Sequence, residues 1–239
     1  MAQKFYITDE NINIARGLTI GATWLHRLSY IPSMPNGTET VLMSGGITSG
    51  RYTFPSAPST MNVVSTSVSD NATKSVLVSG LDSNYNPISE TITLNGTTPV
   101  TTTKQYLRIQ RVSTAGANAV VGQVSVRNVT ILANLNDGDG QSLQSVYTIP
   151  KGVTGYLRQI SGSVPKGGDA IFKLYSRAYG SNFFLARHIF GLNELSYQYD
   201  FPYPTLLPEK TDIEMTILSS TGSASATATF DILLVNNVI

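Results

Sequence analysis

The chain has 239 residues, a formal net charge of +1 and no cysteine. That length suits one large β domain or two smaller ones, and the missing cysteine excludes disulfides and thiolate metal sites. Charged residues make up 13% of the chain, about half the globular norm of roughly 25%. Ser, Thr, Asn and Gly take their place, so exposed faces are expected to use hydroxyls and partners are expected to cover much of the surface. No long basic run gives a nucleic-acid role electrostatic support. No run of about 18 apolar residues predicts a transmembrane helix, and residues 1–20 hold no apolar core of signal-peptide length.

Residues 1–31 read as extended segments, because Gly17 and Gly21 interrupt any helical face, although one short helix also fits. This segment is expected to be an arm docked on a neighbouring subunit or an edge strand of its own domain. Residues 32–60 are broken by eight prolines and glycines, leaving only 39–43 and 51–54 strand-like. Residues 1–60 together are expected to pack on a first β unit spanning 61–136.

That unit centres on residues 75–113. Val76 and Val78 share one side of a strand; Ile88, Ile92 and Leu94 share another against Ser89, Thr91 and Thr93. Leu107 and Ile109 oppose Arg108 and Gln110, with Tyr106 and Val112 breaking the alternation. Period-two alternation predicts strands with one buried and one wet face. Asp82–Pro87 and Asn95-Gly96 are turn signals, so the stretch reads as an antiparallel meander. A phase change near Asn128, between Val124/Val126 and Val129/Ile131, predicts a bulge. The Asp/Gly-rich run 133–142 is the expected boundary, and residues 137–239 give a second unit of seven strand-like runs. Their spacing of 8–14 residues suits a sandwich or jelly roll. In the last run, Ala224, Ala226, Ala228, Phe230, Ile232 and Leu234 fall on one side. Residues 189–197 are the one place in this half that could hold a helical turn.

Candidate sites are few. Asp82, Asn84 and Asn86 are spaced like the start of a calcium loop, but Pro87 stands where glycine is needed and no closing Glu follows, so a turn is the better reading. Asp137 and Asp139, alternating with glycines, read as linker. His26 and His188 have no G-x-S-x-G elbow to serve, and read as packing or hydrogen-bonding residues. No phosphate loop, dinucleotide fingerprint or HExxH motif occurs. No cofactor or metal is expected. Tyrosines crowd the second half, and exposed tyrosines serve protein interfaces and sugar platforms alike. Tyr197, Tyr199 and Tyr203, with Trp24 in the first segment, are the candidate interface residues. Four N-x-T sequons, at Asn36, Asn71, Asn95 and Asn128, are ordinary for so Thr-rich a chain.

The run VSGLDSNYNPISETITLNGTTPVTTTKQYLRIQRVS resembles a stretch of tailed-bacteriophage virion structural proteins, especially those of marine phages. The resemblance is strong over residues 76–113 and continues more weakly through 147–163 and 230–237. It implies a virion component assembled in the host cytoplasm: a capsid decoration or stabilising protein, a head fibre, or a tail or baseplate part, often trimeric. It implies no catalytic residue. The sequence therefore reads as an all-β, non-enzymatic protein of two sandwich or jelly-roll-like units. The expected partners are further copies in a homotrimer and the major capsid protein or other virion proteins, without nucleic acid or membrane insertion. The alternative is a tail fibre or baseplate component touching the host surface or its glycans. A third reading is a carbohydrate-binding or glycosidic enzyme domain, whose two carboxylates need no local motif.

Overall fold

The computed structural model describes residues 9–45, 50–182, 184–222 and 224–237. The first eight residues of the expected arm, and Phe183 in the run 182–190, lie outside them. The described chain is all-β but for one short helix. In chain order the elements are α1 (Glu10–Ala15), β1 (Ala22–Ile31), β2 (Thr40–Val41), β3 (Asn62–Ser65), β4 (Ser75–Leu81) and β5 (Pro87–Thr93). There follow β6 (Val100–Thr101), β7 (Arg108–Ala115), β8 (Val124–Arg127), β9 (Ile131–Leu135), β10 (Val146–Thr148) and β11 (Val153–Ser163). The chain ends through β12 (Asp169–Arg177), β13 (Leu185–Asn193), β14 (Ser196–Leu207), β15 (Asp212–Leu218) and β16 (Ala226–Asn236).

The helix corrects the extended reading of the first segment. Asp9 caps it, accepting from the amides of Asn11 at 2.8 Å and Ile12 at 3.4 Å. Gly17, at φ +71, ends it, so the glycine that argued against a helix is the one that closes it. The helical turn allowed over 189–197 is absent: β13 and β14 run through it as a hairpin, turning at Glu194 with φ +54.

Two sheets make up the larger unit, in orders β1-β16-β11-β14 and β10-β15-β12-β13, and β2 also pairs with β15. Renumbered one to eight in chain order, these strands run 1-8-3-6 in one sheet and 2-7-4-5 in the other. That is the strand order of a jelly roll. Its first strand is β1, paired with β16 over ten residues from Ala22↔Val235 to Ile31↔Ala226. Residues 1–60 therefore do not pack as one piece on the first unit. β1 completes the jelly roll, β2 pairs with β15, and Val41, Met43 and Tyr52 enter the core of the smaller unit. That smaller unit sits in the chain between the first and second strands of the jelly roll.

The jelly-roll core forms where the two inner faces meet: Ala226, Ala228, Phe230 and Ile232 of β16 against Phe172 and Leu174 of β12 and Ile213, Met215 and Ile217 of β15. The small alanines let the sheets approach at one end, and Phe230 fills the other. Burying an aliphatic or aromatic side chain of this size stabilises by roughly 1.5–3 kcal/mol, so these strands hold the unit together without disulfides.

The smaller unit packs β6-β3-β8-β9 against β5-β4-β7. The order β5-β4-β7 corrects the meander, since β4 and not β5 is the middle strand. After Asn95-Gly96 the chain crosses to the other sheet, where β6 pairs with β3, and β7 returns on the far side of β4. The broken alternation of β7 has its cause in the register, which shifts between Ser79 and Gly80 so that Gln110 has no partner in β4. Ile109 and Val112 thereby both enter the core. The phase change near Asn128 lies at a hairpin between β8 and β9 and not within one continuous strand, and the expected irregularity is present in the pairing, whose register shifts between Val126 and Arg127. The Asn128 side chain accepts from the amides of Val129 at 2.6 Å and Thr130 at 3.2 Å, and Val129 stands at the tip, 97% exposed.

The run 133–142 is pinned rather than free. Ser113 bridges Gln141, Ser142 donates its amide to the Val112 carbonyl at 2.7 Å, and Asn136 donates to Ser44. β10 then walls both cores, with Val146 on one side and Tyr147 on the other.

Candidate functional site

The outer face of the β10-β15-β12-β13 sheet is built in rungs. Register sets Arg177 opposite Asp212, Tyr175 opposite Glu214, Lys173 opposite Thr216 and Ile171 opposite Leu218. In sequence, Asp212, Glu214 and Thr216 alternate with Ile213, Met215 and Ile217, a pattern that reads as a wet face. Here all three are buried, because chain from elsewhere covers each rung.

Arg108 of β7 covers the first rung, donating to Asp212 through Nε at 2.8 Å and Nη2 at 3.0 Å. Arg177 and Thr148 complete the carboxylate at 2.6 Å and 2.7 Å. Arg51 covers the second. It donates to Glu214 through Nε at 2.6 Å and through Nη2, and lies over the Tyr175 ring at 4.2 Å. Burial pushes the Glu214 carboxyl above its usual range, and Arg51 works against that rise. Glu39 covers the third, accepting from Lys173 at 2.8 Å and Thr216 at 2.7 Å. Among the described residues, no side chain covers the fourth rung as the other three are covered. Ile171, 43% exposed, faces a groove of about 590 Å³ with Leu218, Gly191 and Asp169.

Between the two units further polar ties run. Arg27 of β1, 3% exposed, donates to the carbonyls of Gln110 and of Val146, the latter at 3.1 Å, beneath Tyr147. Burial, with Arg111 nearby, lowers its pKa to about 10, so it stays charged at neutral pH. Gln110 exchanges two hydrogen bonds with the Thr148 backbone, at 2.5 and 3.1 Å. The face of β7 expected to be wet is thus the seam between the units, with Arg108 and Gln110 both buried.

The candidate interface residues fall in three places. Tyr197 and Tyr199, half-buried on β14, join His188 and Phe190 of β13 in an aromatic stack that closes the side of the jelly roll. His188 lies 4.6 Å from the Tyr199 ring, Phe190 lies 4.5 Å from Tyr197, and Phe172 continues the stack behind Phe190 at 4.9 Å. His188 Nε2 meets the Tyr197 hydroxyl at 3.2 Å, and burial lowers the imidazole pKa. Tyr203 is elsewhere. Four residues, Phe201 to Pro204, bulge opposite Arg158, and Tyr203 stands 89% exposed on the crest. Two prolines and a bulge on an edge strand discourage edge-to-edge pairing.

Trp24 lies at the opposite edge of that sheet, in a row that register defines across all four strands: Trp24, Leu233, Tyr156, Leu206. With strands about 4.8 Å apart, the row is about 14 Å wide. The next row along, His26, Asp231, Gln159 and Asp200, is polar, and His26 Nδ1 meets Asp231 there. Asp82 turns its oxygens on its own loop, accepting from the amides of Asn84 at 2.8 Å and Asn86 at 2.9 Å. No signal in the sequence marked Arg108, Arg51 or Asp212, because an arginine in an alternating strand looks like any solvated residue.

A smaller pocket of about 200 Å³ opens at the seam beside the first rung, with Arg108, Arg177, Lys210, Tyr85, Tyr179, Phe54 and Asp212 in its lining. The fold and these sites define an all-β protein made of a jelly roll with a second β-sandwich inserted after its first strand. No family model and no curated protein matches the chain. Among solved structures, a chain of "Structure of infectious bursal disease virus Gx strain" aligns at 10% identity over 90% of this chain and 76% of that one, with a TM-score of 0.21. A score of that size falls well short of a shared fold.

Proposed function

We propose that the protein is a non-enzymatic structural component of a tailed-bacteriophage virion, a homotrimeric decoration protein that binds the assembled capsid. The observation that carries this is the apolar row Trp24–Leu233–Tyr156–Leu206 across an outer sheet face. Leu206 is exposed and Trp24, Tyr156 and Leu233 are half-buried, the row is bordered on one side by the polar row of His26 and Asp231, and apolar surface of this kind marks association sites. The Leu218–Ile171–Gly191 row on the other outer face adds a second such surface. The jelly roll, a common architecture of viral shells, and the resemblance over residues 76–113 agree with it. A protein that binds the assembled lattice better than free subunits stabilises that lattice by linkage.

The test is gold labelling of intact particles with an antibody to this protein. Label over the heads, with capsids lacking the protein leaking at lower temperature, is the expected result. Label confined to the tail would favour a fibre or baseplate role, for which the exposed Tyr203 on its bulge speaks. Turnover of a glycan by the pure protein would overturn the non-enzymatic assignment.

A further inference from the structure

The pocket beside the first rung carries more positive charge than the seam needs. Arg108 is satisfied by Asp212 and by the carbonyls of Pro55 at 2.6 Å and Leu107 at 2.9 Å. Arg177, which shares Asp212 with Arg108 at 2.6 Å, and Lys210 add two further cations to a lining with Asp212 as its one carboxylate, leaving a net charge of +2 among the lining residues. Glu209, outside the lining, approaches the Lys210 ammonium at only 3.7 Å. Even with it counted the balance is positive.

Aromatic rings hold these cations in place. Lys210 Nζ sits 4.6 Å from the Tyr179 ring centre, and Arg177 lies over Phe54 at 5.3 Å and over Phe184 at 4.8 Å. Tyr85 and Tyr179 meet edge to face at 5.6 Å. Donors fixed this way need little rearrangement to receive a ligand. The backbone supplies an independent observation. Tyr85 at φ +65 and Lys210 at φ +62 are two of the three described non-glycine residues in the left-handed region, and both line this pocket. Strain of that kind persists where the surrounding structure over-determines it, and it gathers at ligand sites. At about 30 Å³ per water, the 200 Å³ space holds about seven waters. It is smaller than a drug-sized pocket of roughly 300 Å³ or more.

We infer that this pocket binds a small oxyanion, a phosphate, sulfate or carboxylate carried on a group no larger than one sugar ring. Arg177 and Lys210 take the charged oxygens, and Tyr179, 64% exposed as a residue, offers to the remainder the ring surface that Lys210 and Tyr85 leave open. The inference holds whether the protein sits on a head or a tail.

The test is isothermal titration of the full chain at low salt with inorganic phosphate, glucuronate and glucose. Two variants accompany it: Lys210→Asn, chosen because Asn tolerates the left-handed conformation, and Tyr179→Ala. Phosphate, glucuronate or both are expected to saturate, with binding weakening as salt is added, and glucose is expected not to bind. A hydrogen bond to a charged group is worth about tenfold or more in affinity, so Lys210→Asn should weaken anion binding by about that factor while melting as the parent does. Loss of glucuronate but not phosphate affinity in Tyr179→Ala would identify an acidic sugar as the ligand source; phosphate binding alone would identify the bare oxyanion. Absence of saturation by either anion, glucose binding as well as glucuronate, or unchanged affinity in a folded Lys210→Asn would overturn the inference.

Discussion

Arg108 and Asp212 meet in a paired hydrogen bond, 2.8 and 3.0 Å, between residues 104 apart in sequence. Both are almost wholly buried, Arg108 on the inserted unit and Asp212 on the jelly roll. Removing one member of a buried pair costs about 3–5 kcal/mol when the other charge is left alone, but Arg177 and Thr148 still hold Asp212 at 2.6 and 2.7 Å. Arg108→Met should therefore lower the urea midpoint by less, an equivalent of about 1–3 kcal/mol. Arg108→Met with Asp212→Leu should recover part of it, since a buried apolar pair replaces the ions, while half-buried Arg177 turns to solvent. Equal midpoints for parent and single variant would show that the pair contributes nothing.

Gly80 of β4 lies tight against the start of β7. A Cβ there would run into the Arg108 carbonyl oxygen and lie 2.8 Å from the Tyr106 ring. Both obstacles are packed, so Gly80→Ala should cost at least about 2 kcal/mol by overpacking. It should also loosen Arg108, because the carbonyl displaced is its own. Hydrogen exchange should show lost protection in β4 and β7 before other strands.

Asp70, fully buried, accepts from Ser65 at 2.5 Å, Lys74 at 3.1 Å and the amides of Val121 at 2.9 Å and Gly122 at 3.0 Å. Burial alone would raise its carboxyl, but these donors together outweigh it and the pKa is lowered. A lowered carboxyl contributes stability that is present above its unfolded value near 3.8 and lost as pH falls through the folded one. Asp70→Asn should be destabilised by about 1–3 kcal/mol at neutral pH. It should also lose less stability than the parent between pH 5 and pH 2, read from urea midpoints across about that range.

His188 gives a second pH dependence from the other side. Burial lowers its pKa from 6.5, so the unfolded chain takes up a proton before the folded one does. Its contribution is complete above about 6.5 and is lost as pH falls toward the folded value. His188→Phe keeps the aromatic stack with Tyr197 and Tyr199 and should remove this dependence. An imidazole titration by NMR with a midpoint above that of an unfolded peptide would contradict it.

Leu206 ends the apolar row on the outer sheet, 54% exposed. Leu206→Glu touches no core and should change folding stability by no more than about 0.5 kcal/mol. In the proposed trimer it should weaken association, shifting the protein toward monomer in sedimentation velocity. A parent that sediments as a monomer would remove the trimer from the proposal.

The amino-acid sequence by itself determined that this chain is β-rich and where its strands run. Period-two alternation is a local property, which is why β11 to β16 lie where their apolar runs do, and why the Ala226-to-Leu234 face of β16 points inward. Turn chemistry was legible for the same reason at Asp82–Pro87. The sequence could not determine strand order or which polar face meets water, because neither is local. β1 finds its partner β16 from the other end of the chain, and that pairing makes a jelly roll of strands that a whole inserted unit separates in sequence. Arg108, Asp212, Glu214 and Thr216 obey the pattern of solvated residues and are buried only because distant chain closes over them. Tyr197 and Tyr199 carry the composition of an exposed platform, yet a hairpin folds them against His188 and Phe190. Burial of a polar side chain depends on what lies across from it, and only the tertiary structure decides that.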